Sequence, residues 1–358
     1  MKENHSVKTK YNFFASANGY DGFMSYFDNV FASRAFTKIF VLKGGPGTGK
    51  STIMKKIAAF AHENKYFHEV IYCSSDKSSL DGVIIENNGK RIAILDGTAP
   101  HERDAVIPGA VDELVNLGEA WKPSCLENEK SRIFDLNAKK AFSYKKAYDN
   151  LHISSFFARK AKAEISALFD FKKADESICL LCRELCCEGS GKRSIRLISS
   201  FSRDGYLTLD TLENISKKVI FVNGKFGSEH VYMNILRAHL QKTDTDYCML
   251  PSPLDKNLTE AIFIEKSKTA IVSYEPASPD KIIDTLDFID KVTLEETKDD
   301  FIDCSRIQNH YMKKAAQSLK KASDYHFELE SIYTPSMDFM LLEEIVDALL
   351  SRCRSIIE

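Results

Sequence analysis

Short apolar runs of strand type alternate with segments of helical spacing along the first part of the chain. Ile39–Leu42 is one such run, and HEVIYC at residues 68–73 is a second. Residues 83–95, VIIENNGKRIAIL, hold two more runs joined by Asn88-Gly89, a pair typical of tight hairpin turns. Strands that alternate with helical segments indicate an α/β domain.

A helical, lysine-rich region extends from about Leu126 to Cys187, with few glycine or proline residues. We predict two long helices here, joined near His152–Ser155. Upstream of this region, the apolar residues between Val111 and Leu117 predict a short helix. The Gly-Ser-Gly stretch at 189–191 predicts a linker.

The second half repeats the order of the first. KVIFV at residues 218–222 matches the first strand, GKFGSEH at 224–230 follows it, and residues 261–276 repeat the hairpin. We therefore predict an α/β fold with two tandem P-loop NTPase-like domains, produced by internal duplication and each extended by a helical hairpin. Two unrelated α/β domains are the alternative. The predicted domains span residues 1–190 and 191–358.

A glycine-rich loop lies between the first apolar run and a helical stripe that includes Ile53 and Ile57. It matches G-x-x-x-x-G-K-[ST] at every position. The glycines let backbone N–H groups turn toward a phosphate, and the following helix N-terminus favours negative charge. Lys50 is predicted to hold the β- and γ-phosphates, and the Ser51 hydroxyl to bind Mg²⁺. The predicted nucleotide-binding residues are Gly44, Gly45, Pro46, Gly47, Thr48, Gly49, Lys50, Ser51 and Thr52.

Three further polar residues are candidates for the chemistry at this loop. Asp96 ends an apolar strand, where a Walker-B aspartate would bind Mg²⁺, although an Asp-Gly turn is the structural alternative. Gly97 follows it, at the position where many ATPases carry a glutamate. A group that activates water or an acceptor must therefore come from another segment of the chain. Asp76 and His101 are candidates near the γ-phosphate, and either could be an ordinary loop residue. Basic helical residues such as Lys140 could form a phosphate-clamping lid or simply a solvated face.

The corresponding loop of the second half has lost this chemistry. Aligned without gaps, Glu229 and His230 take the places of Gly49 and Lys50, and Val231 replaces the hydroxyl. A carboxylate directed at phosphates would repel them, so we predict nucleotide binding at the first loop only.

Composition narrows the class of protein. The chain has 358 residues with a formal net charge of −2, which argues against a general nucleic-acid binder. No apolar run is long enough to span a bilayer, and MKENHSVKTKYNFF lacks the apolar core of a signal peptide. Nine cysteines without an export signal indicate reduced thiols. We expect a cytoplasmic protein with no membrane or nucleic-acid partner.

Four of the cysteines form a cluster, at positions 179, 182, 186 and 187. Their C-x-x-C spacing is typical of zinc sites. However, SICLLCRELCC has helical character, and one continuous helix cannot easily place four thiolates around one ion. We therefore predict buried thiols rather than a metal site.

Several segments together resemble a known family. They are the stretch 18–29, the loop GGPGTGKST, the segment CSSDKSSLDG from Cys73, and DGTAPHERDAVIPGAVDELVNLGEAW from Asp96. They are similar to tandem P-loop proteins of bacteria, usually labelled hypothetical ATPases or nucleotide-kinase-like proteins. The resemblance covers essentially the whole chain. It implies ATP binding at the loop and marks Asp76, Asp96 and His101 as motif positions.

The sequence predicts an ATP-binding P-loop protein that hydrolyses ATP with Mg²⁺. A GTPase is disfavoured, because no N-K-x-D motif follows the first loop and Asp96-Gly97-Thr98-Ala99 lacks the glycine of a DxxG switch. Two alternatives stay open. One is a kinase that transfers the γ-phosphate to a small acceptor, and the other is a non-enzymatic module whose partner contacts depend on ATP.

Overall fold

The computed structural model describes residues 10–358. The first nine residues, on which part of the signal-peptide prediction rests, lie outside this range. Among the described helices, none has both the length and the apolar character needed to cross a membrane.

The first half folds as a mixed sheet with helices. Its described strands are β1 (Lys10–Phe14), β2 (Ser16–Gly19), β3 (Gly22–Ser25), β4 (Lys38–Lys43), β5 (Phe67–Tyr72), β6 (Leu80–Asn87), β7 (Lys90–Asp96) and β8 (Asp112–Asn116). Its described helices are α1 (Phe27–Val30), α2 (Lys50–Glu63), α3 (Pro123–Asn128), α4 (Lys130–Ala167) and α5 (Phe171–Leu185). The sheet order is β1-β5-β6-β7-β4-β8, and β6 runs antiparallel to both of its neighbours. β4 lies between parallel neighbours β7 and β8, and its apolar residues Ile39–Leu42 are fully buried, as expected for a central parallel strand.

The second half repeats this arrangement strand by strand. Its strands are β9 (Arg193–Ile195), β10 (Ser199–Ser202), β11 (Gly205–Thr208), β12 (Lys218–Asn223), β13 (Tyr247–Pro251), β14 (Thr259–Ile264), β15 (Thr269–Val272) and β16 (Lys281–Asp284). Its helices are α6 (Thr211–Ile215), α7 (Ser228–Leu240), α8 (Lys291–Glu296), α9 (Lys298–Tyr333) and α10 (Phe339–Ile357). The sheet order β9-β13-β14-β15-β12-β16 has the same directions as the first sheet. Two similar mixed sheets are consistent with a duplicated domain, and the sheets are mixed rather than wholly parallel.

The chain forms two compact units. The first unit contains Ser25–Lys145, Ser318–Glu358 and the described residues up to Ser16, and the second contains Ala17–Met24 and Lys146–Gln317. These units differ from the predicted division at residue 190, because each sheet is covered by a helix from the other half of the sequence.

In the first unit, α10 covers the sheet. Its buried residues Val346, Leu349, Cys353 and Ile357 follow helical spacing. They share one hydrophobic cluster with β4 and α2 residues, among them Phe40. The C-terminal helix therefore completes the core of the first sheet.

In the second unit, α5 has the corresponding role. Its buried stripe of Ala174, Ile178, Leu181 and Leu185 shares a cluster with strand β12 and helix α7. The neighbouring cysteines are only half-buried at 179, 182 and 187, and exposed at 186. The prediction that all four thiols are buried is therefore wrong: Cys186 is exposed, whereas Cys182 and Cys187 are half-buried and pack against the cluster, because the apolar stripe of α5 occupies the side that faces the sheet. The cysteines do not belong to the metal-ligand grouping found among the described residues.

Two local predictions are also wrong. Helix α4 runs without interruption through His152–Ser155 and ends at Ala167, since nothing in that stretch breaks a helix. The segment Asp112–Asn116 is strand β8 rather than a helix, because it pairs with the buried strand β4. Tertiary pairing outweighs the local spacing of a short apolar segment.

Candidate functional site

The glycine-rich loop joins the C-terminal end of β4 to α2. Gly47 and Gly49 have φ angles of 73° and 78°, the left-handed region that glycine adopts at little cost. The Thr48 hydroxyl donates to the Gly45 carbonyl over 2.9 Å, which closes the loop on itself. Helix α2 then begins at Lys50 with Gly49 as its N-cap. The predicted strand, loop and helix thus follow one another in the first unit.

Lys50 connects the loop with the neighbouring strand. Its Nζ donates to the Gly44 and Gly45 carbonyls over 2.7 and 3.0 Å. The same Nζ lies 3.6 Å from Asp96 Oδ2. The ammonium group is therefore held over the loop and beside the carboxylate at the end of β7.

Asp96 and Ser51, the predicted metal ligands, are both neighbours of this lysine, Asp96 in space and Ser51 in the chain. Asp96 pairs with Leu42 across the parallel β4–β7 contact, and its Oδ1 accepts hydrogen bonds from the Thr98 N–H at 2.9 Å and the Thr98 hydroxyl at 2.6 Å. The Ser51 hydroxyl accepts the Leu80 N–H over 3.0 Å. Two hard oxygen donors and one cation are thereby fixed around the start of α2.

Asp81 is a site residue that sequence reasoning missed. It lies between Leu80 and Gly82 at the start of β6, and Gly82 pairs with Leu95, the residue before Asp96, in the antiparallel β6–β7 register. Ligand atoms of Asp81, Asp96 and His101 all lie within 4.8 Å of one another. Burial, reinforced by the charge of Asp96, raises the pKa of Asp81 to about 8. Asp81 is therefore mostly protonated at neutral pH, and its position in the segment CSSDKSSLDG was the signal available in the sequence.

His101 is buried behind this carboxylate pair. Its Nε2 lies 3.5 Å from Asp81 Oδ2, and its ring contacts Phe27 at a centroid distance of 4.4 Å. Burial lowers the pKa of His101 to about 4, so the imidazole is neutral at physiological pH. His101 therefore lies beside the Asp81–Asp96 pair as a neutral imidazole.

Asp76 lies in the loop between β5 and β6. Its Oδ1 accepts the Ser78 N–H over 2.9 Å, a common way of stabilising a turn. Its charge also contributes to raising the pKa of Glu330, a residue of α9. Asp76 therefore lies near the glycine-rich loop, but one of its carboxylate oxygens stabilises the turn to which Asp76 belongs.

The end of α9 contacts the glycine-rich loop within the first unit. A Cβ atom at Gly47 would lie 2.5 Å from Thr334 Oγ1 and 3.3 Å from the Glu330 carbonyl. At Gly45, a Cβ would lie 3.1 Å from the Trp121 ring, which packs against Tyr333 at a centroid distance of 5.6 Å. Sequence reasoning missed this contribution from α9, because no local motif marks it nearly 300 residues along the chain.

The loop of the second half differs in length as well as composition. Four residues, Gly224–Gly227, separate β12 from α7, whereas six residues separate β4 from α2. Gly227 is the N-cap of α7, with φ 93°, and therefore corresponds to Gly49. This places Ser228 at the position of Lys50 and Glu229 at that of Ser51, so the ungapped alignment of Glu229 with Gly49 is wrong.

Side chains from the start of α7 and from Thr285, directly after β16, lie against this second loop. The buried Ser228 hydroxyl bonds to Thr285 Oγ1 over 2.7 Å, and Glu229 Oε2 lies 2.6 Å from the position of a Cβ at Gly224. The short loop offers no lysine at its helix start, and a carboxylate lies against its first glycine.

The acidic pair of the first unit is also altered in the second. By strand register, Glu260 and Ser273 correspond to Asp81 and Asp96. Glu260 is buried, and its Oε1 accepts hydrogen bonds from the Ser199 hydroxyl at 2.8 Å and the Tyr206 hydroxyl at 2.5 Å. Burial raises the pKa of Glu260 from its usual 4.5 to about 7.

Replacing Glu260 by Gln should flatten the pH dependence of stability. A carboxyl whose pKa is raised by folding contributes stability that is complete below about pH 4.5 and is lost as the pH rises through about 7. Over that interval, wild type should lose about 3 kcal/mol more unfolding free energy than Glu260→Gln. Urea unfolding of both proteins across this pH range measures the difference. Glu265→Gln, at an exposed turn of the same hairpin, is the control. Parallel curves for wild type and Glu260→Gln would contradict the prediction.

In comparisons with known proteins, no family model, curated protein or solved structure matches this chain.

Proposed function

We propose that this protein binds ATP with Mg²⁺ at residues 44–52 and hydrolyses it slowly to ADP and phosphate. The observation that carries the proposal is the position of Lys50, which is held at the start of α2, over the loop carbonyls and 3.6 Å from Asp96. A strand, a glycine-rich loop with left-handed glycines and a helix surround it. Backbone N–H groups, a helix N-terminus and a lysine are together the usual means of binding the phosphates of a nucleotide.

The residues present suit Mg²⁺. The ion prefers oxygen ligands and is commonly held by one or two carboxylates together with substrate phosphates. The Ser51 hydroxyl and the Asp96 carboxylate supply such oxygens at the start of α2. Bound Mg²⁺ would neutralise charge on the phosphates, while Lys50 would hold the β- and γ-phosphates. Adenine is favoured over guanine because the sequence lacks an N-K-x-D motif after the loop.

A cytoplasmic location is part of the proposal. All nine cysteines are free thiols, as expected in a reducing compartment.

A kinase is the second candidate, and helix α4 is the observation that favours it. Tyr144 of α4 bonds to Ser75 beside the site, and the charge of Lys140 on the same helix acts on His326 of α9. Such a helix could cover a small acceptor molecule. Production of ADP that depends on an added acceptor would support the kinase, whereas tight ATP binding without turnover would support a non-enzymatic module.

The experiment that tests the ATPase proposal compares wild type with Asp96→Asn. We expect turnover to fall more than binding, because the substitution removes the charge that orients Mg²⁺ and leaves the loop intact. ADP release as a function of Mg²⁺ concentration, together with calorimetric titration of a non-hydrolysable ATP analogue, separates the two effects. Asp104→Asn removes an exposed carboxylate of the following loop and should change neither. An unchanged Mg²⁺ dependence in Asp96→Asn would mean that Asp96 is only a turn residue.

A further inference from the structure

The strand that carries Asp96 has no room for a catalytic glutamate at its end. A Cβ atom at Gly97 would lie 2.3 Å from Val41 Cγ1 and 2.8 Å from the Arg103 carbonyl. Any residue other than glycine would therefore force the backbone of the site to move. If water is to be activated here, the base must come from another element.

His101 and Asp76, the candidates predicted from the sequence, are poorly placed to activate water. His101 is buried against Asp81, and its ring is only 8% exposed, away from bulk water. Asp76 uses one oxygen to stabilise its own turn.

Glu330 of α9 is better placed. Its backbone carbonyl lies against Gly47, and the Gly47 N–H and the charges of Lys50 and Asp76 act on its carboxylate. The side chain is 39% exposed, so water reaches it. The Gly47 N–H and Lys50 are donors of the kind that hold phosphate in such loops, so Glu330 lies beside the donors that would bind the phosphates.

The position of Glu330 is fixed by its neighbours on α9. Leu329 and Ile332 are buried in a cluster with Leu136 of α4. On the side that faces the loop, Thr334 packs against Gly47. Contacts on both sides hold this turn of α9 in one place, as a precise catalytic group requires.

His326, one helical turn before Glu330, completes the local arrangement. Its Nε2 lies 3.6 Å from Glu330 Oε1. Partial burial, with the charges of Lys140 and Lys50, lowers the pKa of His326 to about 4, so the ring is neutral. A neutral imidazole can orient the carboxylate without neutralising its charge.

We propose that Glu330 is the catalytic base that activates water for attack on the γ-phosphate. In this step the water oxygen forms a bond to the γ-phosphorus, and one water proton passes to the Glu330 carboxylate. The bond from the γ-phosphorus to the β–γ bridging oxygen breaks, and ADP leaves with that electron pair. Glu330 then returns its proton to solvent. This inference rests on the proposed ATP hydrolysis and assigns its missing base.

The test is Glu330→Gln, which keeps the size of the side chain and its ability to accept a hydrogen bond. We expect the single-turnover rate of ATP hydrolysis to fall at least about 100-fold, the typical contribution of a general base. Affinity for a non-hydrolysable ATP analogue should stay equal or increase, because a negative charge near the phosphates is removed. Glu328→Gln, an exposed glutamate on the same helix, is the matched control and should leave both quantities unchanged.

The possible outcomes separate this inference from the proposed function. Wild-type protein that binds no ATP would overturn both. Wild-type protein that binds ATP and hydrolyses none would overturn the ATPase proposal and the assignment of a base. Turnover that survives Glu330→Gln would overturn the inference alone. If the variant also bound the ATP analogue more tightly than wild type does, the role of Glu330 would be only to compete with phosphate for the Gly47 N–H.

Discussion

Removing residues 318–358 should unfold the first unit, although the deletion leaves its whole sheet and its glycine-rich loop in the chain. Helix α10 buries Val346, Leu349 and Ile357 against the first sheet. Burial of one such side chain contributes roughly 1.5–3 kcal/mol, so these three contribute about 5–9 kcal/mol. This is comparable with the whole stability of an ordinary domain, about 5–15 kcal/mol.

The same reasoning applies to residues 1–190 expressed alone. That piece contains the predicted first domain but lacks α10, so its sheet would expose the face formed in part by Phe40. We expect poor solubility, no cooperative unfolding transition and no ATP binding. Near-UV circular dichroism and thermal unfolding measure the first two properties. A chain that lacks only the exposed Glu358 is the control, because it keeps Val346, Leu349 and Ile357. A piece 1–190 that unfolds cooperatively and binds ATP would show that α10 is dispensable.

Replacing Lys50 by Ala should weaken Mg²⁺-ATP binding roughly 10- to 150-fold, because a charge-assisted contact to phosphate contributes about 1.5–3 kcal/mol. The fold should survive, since Lys50 bonds only to loop carbonyls and lies beside Asp96 rather than in the core. Calorimetric titration of both proteins measures affinity and stoichiometry, and thermal unfolding without nucleotide checks the fold.

The control for this prediction lies on the same helix. Lys55 is exposed on α2, and Lys55→Ala removes an equal charge at a distance from the loop. It should bind ATP as wild type does. Wild type should bind one equivalent of ATP per chain, because the second loop is two residues shorter and begins its helix with Ser228. Two equivalents, one of them surviving Lys50→Ala, would show that the second loop also binds nucleotide.

The sequence alone predicted those features that are encoded locally. The strand at Ile39–Leu42, the hairpin around Asn88 and the loop of residues 44–52 appear where their patterns indicated. The repeat of elements in the second half is matched by two similar mixed sheets. Periodicity, turn residues and a contiguous motif involve neighbours in the chain, so they can be recognised without a fold.

These local patterns could not predict which distant segments of the chain pair with one another. Asp81 was recognisable only as part of the segment CSSDKSSLDG, and its importance comes from the pairing of β6 with β7, which brings its carboxylate within 4.8 Å of that of Asp96. The short segment at Asp112–Asn116 was predicted as a helix from its spacing, and its pairing with β4 decided that it is a strand. The second loop was misaligned because an ungapped comparison cannot detect a two-residue deletion.

The sequence by itself determined the phosphate-loop motif, the metal-ligand candidates Ser51 and Asp96, and the order of the strands from β4 to β7. Only the tertiary structure decided which helix covers which sheet, and therefore that Glu330 borders the loop nearly 300 residues before it in the chain. The physical reason is that an amphipathic helix such as α5 or α10 specifies an apolar stripe but not its partner. Two sheets of similar shape offer either helix a suitable surface, and only packing in three dimensions selects between them.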